Sequence, residues 1–105
     1  MCIAWDSING GLAGISTESE ELSLAWNIDV RPSMQPVVFS DSAELVINHY
    51  QDRDDQIIVV DIRSGELISK VSLSSPLANG MFLSPGFERD IYYCSTLTFA
   101  RVQWR

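Results

Sequence analysis

The densest group of ionisable side chains in the sequence is Asp52, Asp54 and Asp55, interrupted by Arg53. Carboxylate oxygens are ligands that calcium prefers, so calcium binding is the first function to consider for this segment. The segment lacks the glycine and the closing glutamate of an EF-hand loop. Aspartates are also typical turn formers, so the pattern favours a solvated loop between two strands. We therefore predict no metal site here.

His49 is the only histidine in the sequence, which excludes a metal cluster built from histidines. With Asp52 it could serve a Ser-His-Asp site, but no GxSxG elbow or other nucleophile motif accompanies it. A histidine that follows an apolar strand run and precedes Tyr50 is typical of a half-buried position. No glycine-rich phosphate loop or cofactor fingerprint is present either. We predict no catalytic residue and no cofactor.

Cys2 and Cys94 lie far apart in the sequence and outside any CxxC spacing. This arrangement indicates neither a zinc site nor a thioredoxin-type motif. Both residues fall in strand-like runs, where a free cysteine behaves as a small apolar side chain. We expect two buried, reduced thiols.

The charge balance of the chain limits its partners. Its 105 residues carry a net charge of −7, and the first basic residue is Arg31. Such a surface repels nucleic acid and anionic membranes, and it fits a solvated acidic face or a docking patch for a basic partner. No apolar run reaches the about 20 residues of a membrane helix, and no signal peptide is visible at the N-terminus, so the cytoplasm is the default expectation.

The clearest structural element that could position these side chains is a hairpin at residues 56–73. The β-branched run that ends at Val60 predicts a strand, and the following residues continue as a second strand after a short turn. Asp61 is placed to accept hydrogen bonds from the backbone of that turn, and Gly65 supplies the positive φ that it needs.

Weaker copies of this hairpin lie on both sides of it. Ser19 and Leu22 recur as Ser64 and Leu67, at an offset of 64 − 19 = 45, and residues 45–47 match residues 91–93 at 91 − 45 = 46. A period of about 45 residues with four strands is the size of a β-propeller blade. The register predicts ten short strands and no helix. The predicted strands are residues 2–7, 12–17, 22–30, 35–40, 44–50, 57–60, 66–73, 78–83, 90–95 and 98–104.

The segment QIIVVDIRSGELISKVSLSSPLANGMFLSPGFERDIYY, residues 56–93, resembles the YVTN-type β-propeller repeat of lactonase-like and quinoprotein amine-dehydrogenase-like seven-bladed propellers. The likeness lies in Val60-Asp61 before the turn, in the Ser-Gly-Glu-Leu of the turn, in Pro76, and in Ser84-Pro85 before the next strand. The family usually continues Ser-Pro with an aspartate-glycine turn, whereas this chain has the longer Gly86 to Asp90.

The resemblance implies an all-β fold of antiparallel four-stranded meander blades, arranged as a partial, open β-propeller. A ten-strand β-sandwich is the alternative. We expect one domain, residues 1–105, with an incomplete blade at 1–33, a complete blade at 34–75 and an incomplete blade at 76–105. About two and a half blades cannot close a ring alone. The chain would be a piece of a larger propeller, a protomer of one, or an open stack.

The leading functional hypothesis is a non-catalytic scaffold that binds a protein or small ligand through loops at one end of the sheets. In propellers, the loops that correspond to residues 9–11, 31–35, 51–55 and 74–79 share that end. The predicted contact residues are Arg31, Asp52, Arg53, Asp54, Asp55 and Asn79. The rival hypothesis is a subunit or fragment of a lactonase-like or quinoprotein-dehydrogenase-like enzyme, which rests on the resemblance alone.

The aromatic side chains fall on strand positions, and most are expected to pack between blades. An unfinished blade at each end would leave strand edges and apolar faces uncovered. We therefore expect Trp5, Phe99, Val102 or Trp104 to be exposed, and the chain to associate with itself or with further blades through residues 98–104.

Overall fold

A computed structural model describes residues 1–75, 80–95 and 98–104, and these contain ten β-strands and no helix. The all-β prediction is confirmed, and no helix that could span a membrane occurs in the part described. The strands are β1 (Cys2–Trp5), β2 (Leu12–Ser16), β3 (Ser23–Ile28), β4 (Val37–Phe39), β5 (Glu44–Gln51), β6 (Asp54–Asp61), β7 (Leu67–Ser75), β8 (Gly80–Pro85), β9 (Asp90–Ser95) and β10 (Phe99–Gln103).

The strands form three antiparallel sheets in which chain neighbours pair with each other. Sheet 1 is β1-β2-β3, sheet 2 is β4-β5-β6-β7, and sheet 3 is β10-β9-β8. Short connections between successive strands permit only antiparallel pairing, because a parallel pair needs a crossover of a dozen or more residues. Each sheet is therefore a simple meander.

Sheet 2 lies between the other two sheets, and its two central strands, β5 and β6, are buried on both faces. Side chains alternate along a strand, so an apolar run such as Leu45-Val46-Ile47 supplies both faces at once. One face packs against sheet 1 in a core cluster of Leu12, Trp26, Val30, Leu45, Ile47, Ile58 and Val60. The other face packs against sheet 3 in a cluster of Met34, Val46, Ile57, Val59, Ile91, Tyr93 and Trp104.

The repeat is visible in the backbone where β5 and β9 begin. Ala43 and Arg89, at an offset of 89 − 43 = 46, both have positive φ, 54° and 37°. The next residues, Glu44 and Asp90, are both buried carboxylates. Sheets 2 and 3 therefore share the local conformation that leads from their first strand to their second.

The two hydrogen bonds that Asp61 accepts in its turn are reproduced in sheet 1 by Asp6, and not by the residue at the predicted offset. Asp61 Oδ1 accepts from the N–H groups two and three residues later, and Asp6 Oδ1 does the same. Ser16, at the predicted offset of 61 − 16 = 45, reproduces only the bond to the second residue, Glu18. A serine side chain has one oxygen and is a weaker cap than aspartate. The sequence repeat at this position therefore keeps only one of the two hydrogen bonds of the turn.

Two expectations about exposure are wrong. Trp104 is only 6% exposed, because its indole packs edge-on against Phe39 at 5.4 Å between ring centroids. Val102 is half-buried in the same cluster, whereas Phe99 at 73% and Trp5 at 42% are exposed as expected. The two thiols are free, but neither is buried: the first is exposed and the second is half-buried.

Candidate functional site

Three of the loops that the sequence singled out meet at one end of the sheets. The N–H of Gly11, in the β1–β2 turn, donates to the carbonyl of Val30 at 2.7 Å. The N–H of Tyr50, beside the β5–β6 turn, donates to the carbonyl of Arg31 at 3.1 Å. We call this end, formed by residues 6–11, 29–36 and 49–53, the loop end. Backbone hydrogen bonds hold its three parts together.

Arg31 and Asp52, from two different loops, border the same surface groove at the loop end. Both side chains are exposed. We call it the polar groove; its lining residues are Asp29, Arg31, His49, Tyr50, Gln51 and Asp52. Asp29 and His49 were not among the residues predicted from the sequence to make contact. Asp29 directly follows β3 and offered no separate signal in the sequence.

His49 anchors the floor of the polar groove. Its Nδ1 accepts a hydrogen bond of 2.8 Å from the N–H of Arg31, so this nitrogen carries no proton. The proton of the neutral ring is then on Nε2, which lies 3.2 Å from Oε1 of Gln51. The half-buried position predicted for this residue is confirmed. Both ring nitrogens are engaged in holding the β3–β4 loop and the end of β5, which is a positioning role.

Asp52 and Arg53 form the tip of a two-residue hairpin closed by the pair Gln51 and Asp54. Their φ values are 53° and 61°, so both residues lie in the left-handed region. Two-residue hairpins favour turns of this kind because their twist matches that of the strands, and they usually place Asn-Gly or Asp-Gly there. The tip thus projects two exposed side chains of opposite charge on a strained backbone.

Asp54 and Asp55 do not lie in the loop, because β6 begins at Asp54 and not at residue 57 as predicted. A carboxylate oxygen of Asp54 accepts a hydrogen bond from the hydroxyl of Ser72, on the neighbouring strand. Asp55 is 0% exposed, since the alternation along β6 turns its side chain inward. The surface position predicted for Asp55 is therefore wrong. Asn79 lies outside the described residues.

Asp55 belongs to a buried polar network that the sequence analysis missed. Its Oδ1 accepts from Asn48 Nδ2 at 3.0 Å, and its Oδ2 accepts from the Tyr93 hydroxyl at 2.5 Å. Asn48 in turn accepts, through Oδ1, from the N–H groups of Ser33 and Met34 at 3.0 and 3.2 Å. The network ties the β3–β4 loop to sheet 2 and sheet 2 to sheet 3. The one signal in the sequence was an asparagine at the end of an apolar strand run.

A second set of buried charges fastens the opposite end of the sheets. The guanidinium of Arg89 contacts both oxygens of Glu44, at 3.0 and 2.6 Å, and the indole Nε1 of Trp104 donates to the same carboxylate at 3.3 Å. Burial raises the pKa of Glu44, but the hydrogen bonds from Arg89 and Trp104 and the charge of Arg89 outweigh it, so this pKa lies below its ordinary value.

Asp90, at the start of β9 in sheet 3, is likewise a buried carboxylate that pairs with an arginine. Its carboxylate is buried and accepts from Nε of Arg101 at 2.8 Å and from the N–H of Glu88 at 3.0 Å. Burial raises the pKa of Asp90, but these bonds together with the Arg101 charge outweigh that effect, so this pKa lies below its ordinary value. A Cβ on Gly86 would stand 2.1 Å from Oδ1 of Asp90, so any larger residue there would have to displace this carboxylate.

The loop end thus combines a rigid backbone with exposed carboxylates, a guanidinium and an amide, which suits recognition by hydrogen bonds and charge. Within the described residues, no three histidine, cysteine or acidic side chains stand close enough to hold a metal ion. Comparisons of the chain with protein-family models, curated proteins and solved structures find no match.

Proposed function

We propose that the chain is a β-propeller-type stack of sheets that acts as a non-catalytic scaffold and binds a segment of a partner protein in the polar groove. Three consecutive meander sheets packed face to face support the propeller-type arrangement over a sandwich, whose strands would jump between sheets. The YVTN-like repeat at residues 56–93 supports the same choice.

The observation that carries the binding role is the construction of the polar groove. Arg31 lies in the loop between sheets 1 and 2, and Asp52 lies in a turn of sheet 2. A bond of 2.8 Å from the N–H of Arg31 to His49 Nδ1 and a backbone bond of 3.1 Å from the N–H of Tyr50 to the Arg31 carbonyl fix the two segments to each other. A preformed groove costs little conformational entropy when a partner binds. His49 is occupied by positioning bonds on both ring nitrogens, which supports binding rather than acid–base chemistry.

The charge of the groove indicates which partner it fits. The groove is lined by two carboxylates, those of Asp29 and Asp52, and by one guanidinium, that of Arg31, and the chain as a whole carries a net charge of −7. A negatively charged surface attracts a basic segment and repels an acidic one. The proposed ligand is therefore a stretch of polypeptide with exposed lysine or arginine side chains.

A peptide titration tests this proposal. An arginine–serine peptide is added to the ¹⁵N-labelled chain, with a glutamate–serine peptide of equal length as the control. We expect amide shifts at residues 29–31 and 49–53 with the first peptide, absent with the second and weakened by salt. Asp29→Asn with Asp52→Asn should weaken binding about 2- to 30-fold, because exposed ion pairs contribute about 0.2–1 kcal/mol each.

Asp41→Asn is the matched control, since Asp41 is exposed at the opposite end of sheet 2. It removes one negative charge, as each of the two groove substitutions does, and should leave the affinity nearly unchanged. An equal loss in this variant would mean that only net charge matters and would refute the loop-end site. Absence of binding by the arginine–serine peptide would refute the basic-ligand proposal as a whole.

A further inference from the structure

The face of sheet 1 that points away from sheet 2 is apolar and uncovered. Residues opposed across antiparallel strands point to the same face, and Cys2, Ile15 and Leu24 form one such row. Leu24 is 61% exposed. The neighbouring row consists of Ala4, Ala13 and Asn27, and the two small alanine side chains leave a shallow depression in the surface with Asn27 at its side. We call this surface the sheet 1 face.

Sheet 3 is also uncovered on the side away from sheet 2, but its surface is aromatic and protruding. Phe82, Cys94 and Phe99 form a row across the three strands, and Phe82 and Phe99 are 50% and 73% exposed. Tyr92, in the next row, stacks on Phe99 at 6.2 Å between centroids. Arg101 is the opposed residue of that row and is exposed. We call this surface the sheet 3 face.

The two faces are complementary in shape and in charge. One offers a depression over alanines and the other offers projecting phenyl rings. Asp6 and Asp29 border the depression and residues 1–30 contain no basic side chain, whereas the sheet 3 face carries the exposed Arg101, whose guanidinium pairs with Asp90. Two copies of the sheet 1 face would bring like charges together, which association avoids.

We infer that the chain associates with a second copy of itself head to tail, the sheet 3 face of one copy packing on the sheet 1 face of the next. The contact would extend face-to-face stacking, which already joins sheets 1, 2 and 3 within one chain. An interface between two different faces is heterologous. Such an interface generates a closed ring if the rotation between copies closes and an open filament if it does not.

Analytical ultracentrifugation of two single variants and their mixture tests the inference. Leu24→Glu disables the sheet 1 face, and Phe99→Glu disables the sheet 3 face. We expect the wild-type chain to self-associate at micromolar concentration. Each variant alone should self-associate at least about 10-fold more weakly. A mixture of the two variants should form a one-to-one complex, because each still presents the face that the other needs.

The controls and contrary outcomes are distinct. Val38→Glu, at an exposed valine on β4, introduces the same charge away from both faces and should associate like the wild type. A wild-type chain that stays monomeric overturns the inference. So does self-association that only one of the two variants lowers, which would mean that a face pairs with itself. If circular dichroism shows that a glutamate variant fails to fold, Leu24→Ser or Phe99→Ser replaces it at the same exposed position.

Discussion

The indole Nε1 of Trp26 donates a hydrogen bond of 2.6 Å to the backbone carbonyl of Ile62, and this bond joins sheet 1 to the hairpin turn of sheet 2. The indole fits there because two glycines lie against it. A Cβ on Gly14 would stand 2.4 Å from the ring, and a Cβ on Gly65 would stand 2.7 Å from it. The contact between the two sheets therefore depends on backbone that carries no side chain.

Gly14→Ala should destabilise the fold through this contact. The new methyl group overlaps the Cε2, Nε1 and Cζ2 atoms of Trp26, and overpacking of a tight site costs about 1–3 kcal/mol. Gly14 has no positive φ, so the cost is one of space and not of backbone strain. The measurement is the free energy of unfolding in a urea titration.

A double-mutant cycle identifies the cause. Trp26→Phe removes the ring atoms that the methyl group would meet, so Gly14→Ala should cost less in the Trp26→Phe background than in the wild type. Trp5→Phe serves as the control, because this exposed indole lies on the same sheet. Equal costs in the two backgrounds would contradict the steric account.

Acid should destabilise the chain through Glu44 and Asp90. The pKa values of both carboxyls are lowered in the folded state, as burial is outweighed by hydrogen bonds and by the charges of Arg89 and Arg101. A lowered folded-state pKa contributes stability above the unfolded value, and that stability is lost as the pH falls through the folded value. The melting temperature should therefore decline below about pH 4, near the ordinary carboxyl pKa.

The variants Glu44→Gln and Asp90→Asn separate these two groups from the other acidic residues. Each removes one titrating group from the buried set, so the melting temperature at neutral pH should fall and its dependence on pH should flatten. Asp41→Asn, at an exposed position, should leave both quantities unchanged. If the melting temperature of the double variant Glu44→Gln with Asp90→Asn falls with pH as steeply as that of the wild type, these two carboxyls are not the cause of the acid destabilisation.

How far the sequence could predict this structure is clearest in the hairpin of residues 56–73. The turn there is local: Asp61 Oδ1 accepts from Arg63 and Ser64 at 2.8 and 3.1 Å, and Gly65 has φ 76°, as predicted. Neighbouring residues determine such features, so single-sequence patterns reveal them. The ten strands follow from the same kind of local pattern.

The contacts between sheets could not be predicted in this way. Asp55 and Tyr93 lie 38 residues apart and Glu44 and Arg89 lie 45 apart, and which side chains meet depends on how the sheets pack. The sequence of an acidic run at a predicted turn does not indicate whether its last side chain is exposed or buried. Asp55 was assigned to the surface for this reason, and Trp104 was assigned to it because the outer face of its sheet was expected to lack a neighbouring blade.

Arg53→Gly should stabilise the chain. Arg53 has φ 61°, and the left-handed region costs a non-glycine residue about 1–2 kcal/mol. Glycine relieves that cost but loses about 0.5–1 kcal/mol through its freer unfolded state, so a net gain of up to about 1.5 kcal/mol is expected. Arg53→Ala keeps the strain and removes the same charge, and it should show no such gain. A destabilised Arg53→Gly would mean that the guanidinium makes a contact that the turn geometry does not account for.

Asp55→Ala should destabilise the chain far more than Asp52→Ala, although the two residues are three positions apart in one acidic run. Loss of the Asp55 carboxylate takes a partner from the buried Nδ2 of Asn48, and a buried donor left short of a partner costs about 1–3 kcal/mol. Asn48 holds the N–H groups of Ser33 and Met34, so the β3–β4 loop should loosen as well. Hydrogen exchange at these two amides, read beside urea unfolding, measures both effects. Asp52 is exposed, and its removal should leave the exchange rates unchanged; faster exchange in Asp52→Ala than in Asp55→Ala would contradict the network.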